Sequence, residues 1–126
     1  MSVEAIPQTG YGDATRALGT PRSIEYQVFS QMTGRLRRSS RPGTDFSDLA
    51  DALHENLRLW SVIATDVAGD QNALPAQLRA QLFYLYEFTV AETQKVLRRD
   101  TDAAALIDVN TTVMRGLRGE LPAGGV

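Results

Sequence analysis

Two groups of side chains in this sequence have the chemical types found in catalytic and metal sites. His54 and Glu55 are adjacent, and an imidazole beside a carboxylate can act as an acid–base pair near neutral pH. Asp45, Asp48 and Asp51 follow one another at intervals of three residues, which would place their carboxylates on one face of a helix. His54 is the only histidine, however, and aspartates in the first turns of a helix also complement its dipole. We therefore expect no catalytic residue, no metal site and no cofactor.

A third group is basic and could bind the phosphates of a nucleic acid. It consists of Arg35, Arg37, Arg38 and Arg41. These arginines fall where a helix is predicted to end, and positive charge there also complements the helix dipole. The net charge of −2 gives no overall positive field that would attract nucleic acid or anionic lipid. Contact between this basic group and RNA is therefore kept as an alternative function.

Aromatic side chains are concentrated in the middle of the chain. Trp60 lies in one predicted helix, and four more rings occur between positions 83 and 88 of the next. Most of these rings should be buried, but the two helices offer more apolar surface than a small bundle needs, which indicates a protein partner. The residues predicted to bind that partner are Trp60, Leu59, Ile63, Phe83, Tyr86 and Phe88.

The composition narrows the class of protein further. A chain of 126 residues has the usual length of one domain. It has no cysteine, which excludes disulfide scaffolds, thiol catalysis and cysteine-ligated metal sites. The N-terminus lacks the basic and apolar regions of a signal peptide, and no apolar run approaches the roughly 20 residues of a membrane span. We predict a cytoplasmic protein that does not insert into a membrane.

Apolar residues recur with helical spacing in four segments, of which the first two have the clearest ends. The first helix is predicted to open at Thr20-Pro21, because threonine caps free amides and proline suits the first helical position. Its apolar stripe ends before Pro42. The second helix starts near Asp45 and stops at Gly69. The apolar face of its second half is broad, which implies contact on two sides, with two neighbouring helices or with a partner chain.

Turn residues also delimit the remaining helices. The third helix has Pro75 in its first turn and ends at Arg98-Arg99, and the fourth is capped by Thr101 or Asp102. No alternation of strand and helix patterns and no glycine-rich phosphate loop occurs. The predicted fold class is all-α, a small antiparallel four-helix bundle. We expect a flexible segment over residues 1–19, a helical domain over residues 20–119 and a flexible tail over residues 120–126.

Several short motifs occur in an order that is similar to one protein family. They are Thr20-Pro21-Arg22-Ser23-Ile24-Glu25-Tyr26, Asn56-Leu57-Arg58-Leu59-Trp60, Asn72-Ala73-Leu74-Pro75, Ile107-Asp108-Val109-Asn110 and Met114-Arg115-Gly116-Leu117-Arg118-Gly119. Together they resemble the FlaF family of flagellar biosynthesis regulators from alphaproteobacteria, over about residues 20–119 of this chain. Ser23 stands where the family often has glutamate, which weakens a capping box at the start of the first helix.

The resemblance implies a small helical cytoplasmic protein that is needed for flagellin production and export and has no catalytic motif. Members of the family act on flagellin, either as a chaperone before type III secretion or through post-transcriptional control of flagellin synthesis. They are associated with a second regulator, FlbT. Flagellin itself has terminal segments that fold as amphipathic helices only in the filament.

Three functions follow from these observations. The leading hypothesis is a flagellin-binding chaperone and regulator that covers the helical terminal segments of flagellin with its own apolar helix faces. The second is an RNA-binding regulator of flagellin mRNA translation that uses the four arginines. The third, an enzyme with a site in the bundle core, is disfavoured because polar residues do not converge on the apolar stripes of the sequence.

Overall fold

The computed structural model describes residues 25–117, which form four helices and contain no strand. The helices are α1 (Tyr26–Ser39), α2 (Phe46–Ala68), α3 (Ala76–Leu97) and α4 (Ala104–Leu117). The all-α prediction is confirmed over this range. The predicted flexible segments, residues 1–19 and 120–126, lie outside the described residues. Of the helices described, none is both long enough and apolar enough to cross a membrane.

The first helix begins later than its sequence predicts. Glu25 has extended backbone angles (φ −106°, ψ 144°) and stands immediately before α1, so the helix begins at Tyr26 and not at Thr20-Pro21. The amide of Phe29 donates to the carbonyl oxygen of Glu25 at 3.1 Å, and the Glu25 side chain makes no capping hydrogen bond. Threonine and proline favour a helix start by residue type alone, and both lie outside the described residues.

The turn between α1 and α2 depends on a glycine. Gly43 has a φ of 90°, a conformation that residues with a Cβ atom rarely adopt. We expect the Gly43→Ala variant to lose about 1 kcal/mol of unfolding free energy, measured by urea denaturation. Gly69→Ala is the matched control, because Gly69 has a φ of −78° and a Cβ there would lie 3.4 Å from its nearest neighbour, the Asp66 carbonyl oxygen. Equal losses in the two variants would contradict this account.

The end of α3 contains a left-handed residue that is not glycine. Arg99 has a φ of 64°. The Arg99 amide donates to the Val96 carbonyl oxygen at 2.8 Å, and the Asp100 amide donates to the Lys95 carbonyl oxygen at 2.9 Å. These are the two hydrogen bonds of a Schellman motif. The Arg99 guanidinium lies 4.0 Å from the centre of the Phe46 ring. This cation–π contact joins the end of α3 to the start of α2 and offsets part of the backbone strain.

Each helix contacts two others, in the cyclic order α1, α2, α3, α4. The buried apolar residues form two clusters at opposite ends of the bundle. The first cluster contains Phe29, Trp60, Ile63, Val67, Leu74, Leu82 and Val113. The second cluster contains Leu36, Ala52, Leu53, Val96 and Leu106. The order of the two clusters along the chain reverses from each helix to the next, as antiparallel neighbours require. The predicted antiparallel four-helix bundle is therefore confirmed.

Candidate functional site

An open groove runs along the surface between α1 and α2. It is lined by Val28, Gln31, Met32 and Arg35 of α1 and by Glu55, Arg58, Leu59 and Val62 of α2. Val62 is 47% exposed, so an apolar surface remains accessible within the groove. Its volume of about 360 Å³ is near the lower end of the range for ligand pockets, which begins at about 300 Å³. The groove therefore suits several side chains of a partner rather than a large enclosed molecule.

Packing in the core determines which residues of α1 lie opposite which residues of α2 along the groove. The rings of Phe29 and Trp60 meet edge to face with their centroids 5.7 Å apart, which aligns α1 with α2. Because the two helices run antiparallel, Val28 and Val62 lie towards one end of the groove. Arg35, two helical turns further along α1, lies towards the other. The groove is thus apolar at one end and charged at the other.

The charged end carries more positive than negative charge. Arg58 Nη1 lies 3.6 Å from Glu55 Oε2, and both side chains are substantially exposed, so this ion pair adds little to stability. Arg35 also lines this end and is half-buried. Two guanidinium groups and one carboxylate therefore stand beside an apolar surface, in a protein whose net charge is −2.

A second accessible apolar surface lies on α3. Phe83 is 36% exposed and Tyr84 is 66% exposed. The rings of Phe83 and Tyr86 pack edge to face with centroids 5.6 Å apart. Phe88 is half-buried on the same helix. Three of the predicted partner-binding residues, Phe83, Tyr86 and Phe88, therefore retain some accessible surface, while α3 lines no part of the groove.

The other three predicted partner-binding residues are divided between the groove and the core. Leu59 lines the groove and also packs against the first cluster. Trp60 and Ile63 have no exposed surface at all, which is contrary to the prediction that both side chains contact a partner. The apolar face of α2 is broad because α2 packs against both α1 and α3, so internal contacts account for most of it.

A layer of polar side chains crosses the core between the two apolar clusters. The Trp60 indole Nε1 donates to Asn110 Oδ1 at 3.0 Å, and Asn110 Nδ2 donates to Asn56 Oδ1 at 2.9 Å. Thr33 of α1 and Thr89 of α3 are also fully buried, at the positions between the clusters on their helices. Every helix thus contributes at least one polar side chain to this layer.

The polar layer corrects one expectation from the sequence, because polar residues do converge within the core. Three of its buried atoms, Thr33 Oγ1, Asn56 Nδ2 and Thr89 Oγ1, have no hydrogen-bond partner among the described residues. Buried polar groups normally have one, and leaving an atom without a partner lowers stability. The sequence feature that could have indicated this layer is the presence of Asn56 and Asn110 among the apolar stripes of their helices.

The four arginines of the predicted RNA-binding group do not share one surface. Arg35 lines the groove between α1 and α2. Arg37 points towards α4, where its Nη2 donates to Thr111 Oγ1 at 3.3 Å. Arg38 and Arg41 are exposed at the end of α1 and in the following turn. Adjacent positions on a helix face different directions, so closeness in sequence does not give these arginines one common face.

The acidic and histidine side chains have the exposed positions of surface residues. His54, Asp45, Asp48 and Asp51 are exposed on and before α2, and Asp48 lies in its first turn. Within residues 25–117, no three His, Asp or Glu side chains come close enough together to hold a metal ion.

Sequence reasoning missed three apolar residues of the groove, Val28, Met32 and Val62. Val28 and Met32 belong to the apolar stripe of the first helix, and Val62 belongs to the broad face of the second. The helical pattern of the sequence therefore identified these three residues as apolar positions of their helices. It could not show which apolar positions remain accessible, because this depends on how closely α1 and α2 pack.

The comparison with protein families agrees with the resemblance that the motifs indicate. A family model described as flagellar protein FlaF matches residues 7–117, a range that includes all four helices and both sides of the groove. No curated protein and no solved structure matches the chain. Because the family model covers most of the sequence, this chain belongs to the FlaF family of flagellar proteins.

Proposed function

We propose that this protein is a cytoplasmic chaperone and regulator that binds flagellin before its export by type III secretion. Membership of a flagellar family supports the flagellar part of this function. The observation that carries the binding part is the open groove between α1 and α2, which has Val62 accessible within it. The groove is a suitable surface for reversible contact with an apolar helix face.

The dimensions of the groove agree with a helical occupant. Its lining residues extend from Val28 to Arg35 on α1 and from Glu55 to Val62 on α2, and either stretch corresponds to about 10 Å of helix at 1.5 Å per residue. An amphipathic helix presents side chains at positions i, i+3 or i+4, and i+7 over the same length. About two turns of a flagellin terminal helix would therefore cover the groove.

Binding of purified flagellin monomers at low and high salt tests the proposal directly. We expect a complex at both salt concentrations, because burial of apolar surface does not depend on screened charges. Absence of a complex under both conditions would contradict the proposal. The alternative, binding to flagellin mRNA through Arg35, Arg37, Arg38 and Arg41, predicts an RNA complex that weakens steeply with salt and is lost when these arginines become serine.

A charge placed in the groove should weaken the flagellin complex selectively. In the Val62→Asp variant, binding would bury a carboxylate against apolar side chains, so we expect the Kd for flagellin to rise about tenfold or more, which is about 1.4 kcal/mol. Isothermal titration with purified flagellin measures the change. Val62 is accessible, so the variant should fold, and circular dichroism checks this.

Tyr84→Asp is the matched control. Tyr84 is also an accessible apolar residue at 66% exposure, but it lies on α3 outside the groove. We expect its Kd for flagellin to remain within about twofold of the wild-type value. The reverse result, loss of binding in Tyr84→Asp with normal binding in Val62→Asp, would move the binding surface from the groove to α3.

A further inference from the structure

Arg35 is the half-buried arginine that lines the groove, and within residues 25–117 its guanidinium has no ion-pair or hydrogen-bond partner. Arg58 pairs with Glu55, and Arg37 donates a hydrogen bond to Thr111. Among residues 25–117, no carboxylate lies within 4.0 Å of the Arg35 guanidinium. The side chain is nevertheless half-buried and lines the groove. It thus places an uncompensated positive charge beside an apolar surface.

Covering the groove would change the environment of this charge. An apolar partner alone would remove water from the guanidinium and supply no hydrogen-bond acceptor, which is unfavourable. A carboxylate would instead accept two parallel hydrogen bonds from the planar guanidinium. Glu55 lies 3.6 Å from Arg58 and is not within ion-pair distance of Arg35, so a carboxylate of the partner would give Arg35 an acceptor of its own.

We propose that the groove selects an amphipathic helix that carries an acidic residue at one defined position, and that Arg35 binds the carboxylate of that residue. Val28 and Arg35 are two turns apart on α1, so the carboxylate lies about seven positions along the partner helix from the apolar residue that contacts Val28 and Val62. The charged end of the groove then fixes the direction in which the helix binds. This inference rests on the proposed function and specifies the chemistry of the bound segment.

Two synthetic helical peptides are the probes. Both carry leucine at positions i and i+4, and at position i+7 one has glutamate while the other has glutamine. We expect the glutamate peptide to bind the wild-type protein about tenfold more tightly, the usual effect of a hydrogen-bonded ion pair relative to a neutral side chain. In the Arg35→Gln variant, the two peptides should bind with equal affinity. Fluorescence anisotropy of labelled peptides gives the Kd values.

Arg38→Gln is the matched control, because Arg38 lies one turn further along α1, is exposed and lines no part of the groove. This variant should retain the preference for the glutamate peptide. The inference is overturned if the wild-type protein binds both peptides equally, or if the preference survives in Arg35→Gln. It is also overturned if Arg38→Gln abolishes the preference as completely as Arg35→Gln does.

The flagellin titration separates this inference from the proposed function. If flagellin binds the wild-type protein and Arg35→Gln with equal affinity, the proposed function stands and the role of Arg35 fails. If flagellin does not bind but the protein prefers the glutamate peptide, the proposed function fails and the groove recognises a different acidic helix.

Discussion

The Trp60→Ala variant should lose about 3–5 kcal/mol of unfolding free energy, the range expected when a large buried ring is removed. Trp60 has no exposed surface, packs edge to face against Phe29 and donates a hydrogen bond to Asn110. The variant therefore loses apolar contacts and leaves the Asn110 carbonyl oxygen without its donor. A loss of this size is a large part of the stability of a typical small domain. Urea denaturation followed by far-UV circular dichroism measures it.

Two further variants show which property of Trp60 is responsible. Trp60→Phe retains an aromatic ring and removes the indole N–H, so its loss should be smaller than that of Trp60→Ala. Tyr84→Ala removes an exposed ring from α3 and should change stability by no more than about 0.5 kcal/mol. If Trp60→Ala is as stable as Tyr84→Ala, the core described for the first cluster is wrong.

The Asn110→Ala variant should lose about 2–6 kcal/mol of unfolding free energy. This is comparable to the loss expected for Trp60→Ala, although the asparagine side chain is much smaller. Asn110 accepts a hydrogen bond from Trp60 and donates one to Asn56. Its removal leaves two buried polar atoms without partners, and each such atom costs about 1–3 kcal/mol. The same denaturation measurement applies.

Thr112→Ala provides the control on the same helix, because Thr112 is exposed. Its effect should stay within about 0.5 kcal/mol. A loss below about 1 kcal/mol for Asn110→Ala would show that the two hydrogen bonds contribute little and that the polar layer is tolerated rather than required.

The polar layer also fixes how the helices align. If one helix moved by a turn, about 5.4 Å along its axis, its polar residue would face an apolar cluster and an apolar residue would enter the layer. Both changes are unfavourable, because hydrogen bonds such as that between Asn110 and Asn56 would be lost. A single buried asparagine sets register in coiled coils in the same way. In this bundle, the two asparagines are expected to specify one alignment at some cost in stability.

The fold could be predicted from the sequence because its signals are local. Apolar residues at helical spacing identify the four helices, and residues such as Gly43 and Pro75 mark the turns between them. The start of α1 was predicted less well, since Thr20-Pro21 suits a helix start but Glu25 has extended backbone angles. The reason is that residue type gives a preference for a helix end and does not by itself fix its position.

The candidate site was harder to predict because it depends on packing between distant segments. In the groove, Val28 lies near Val62, and Arg35 lies near Glu55 and Arg58. The residues from α1 are far in sequence from those of α2. Helical periodicity shows that these residues lie on a particular face of each helix. It does not show that Trp60 is enclosed while Val62, two positions later, is accessible. That difference arises from packing between helices, because Trp60 contacts Phe29 of α1 and Asn110 of α4, whereas Val62 lines the open groove.

Trp60 has a further consequence, because it is the only tryptophan of the chain. Its indole is fully enclosed and hydrogen-bonded, so the intrinsic tryptophan emission originates from a single site in the bundle core. A shift of that emission to longer wavelength reports that water has entered the core. Occupation of the groove covers a different surface, so an unshifted emission maximum would show that a bound segment has left the core of the bundle intact.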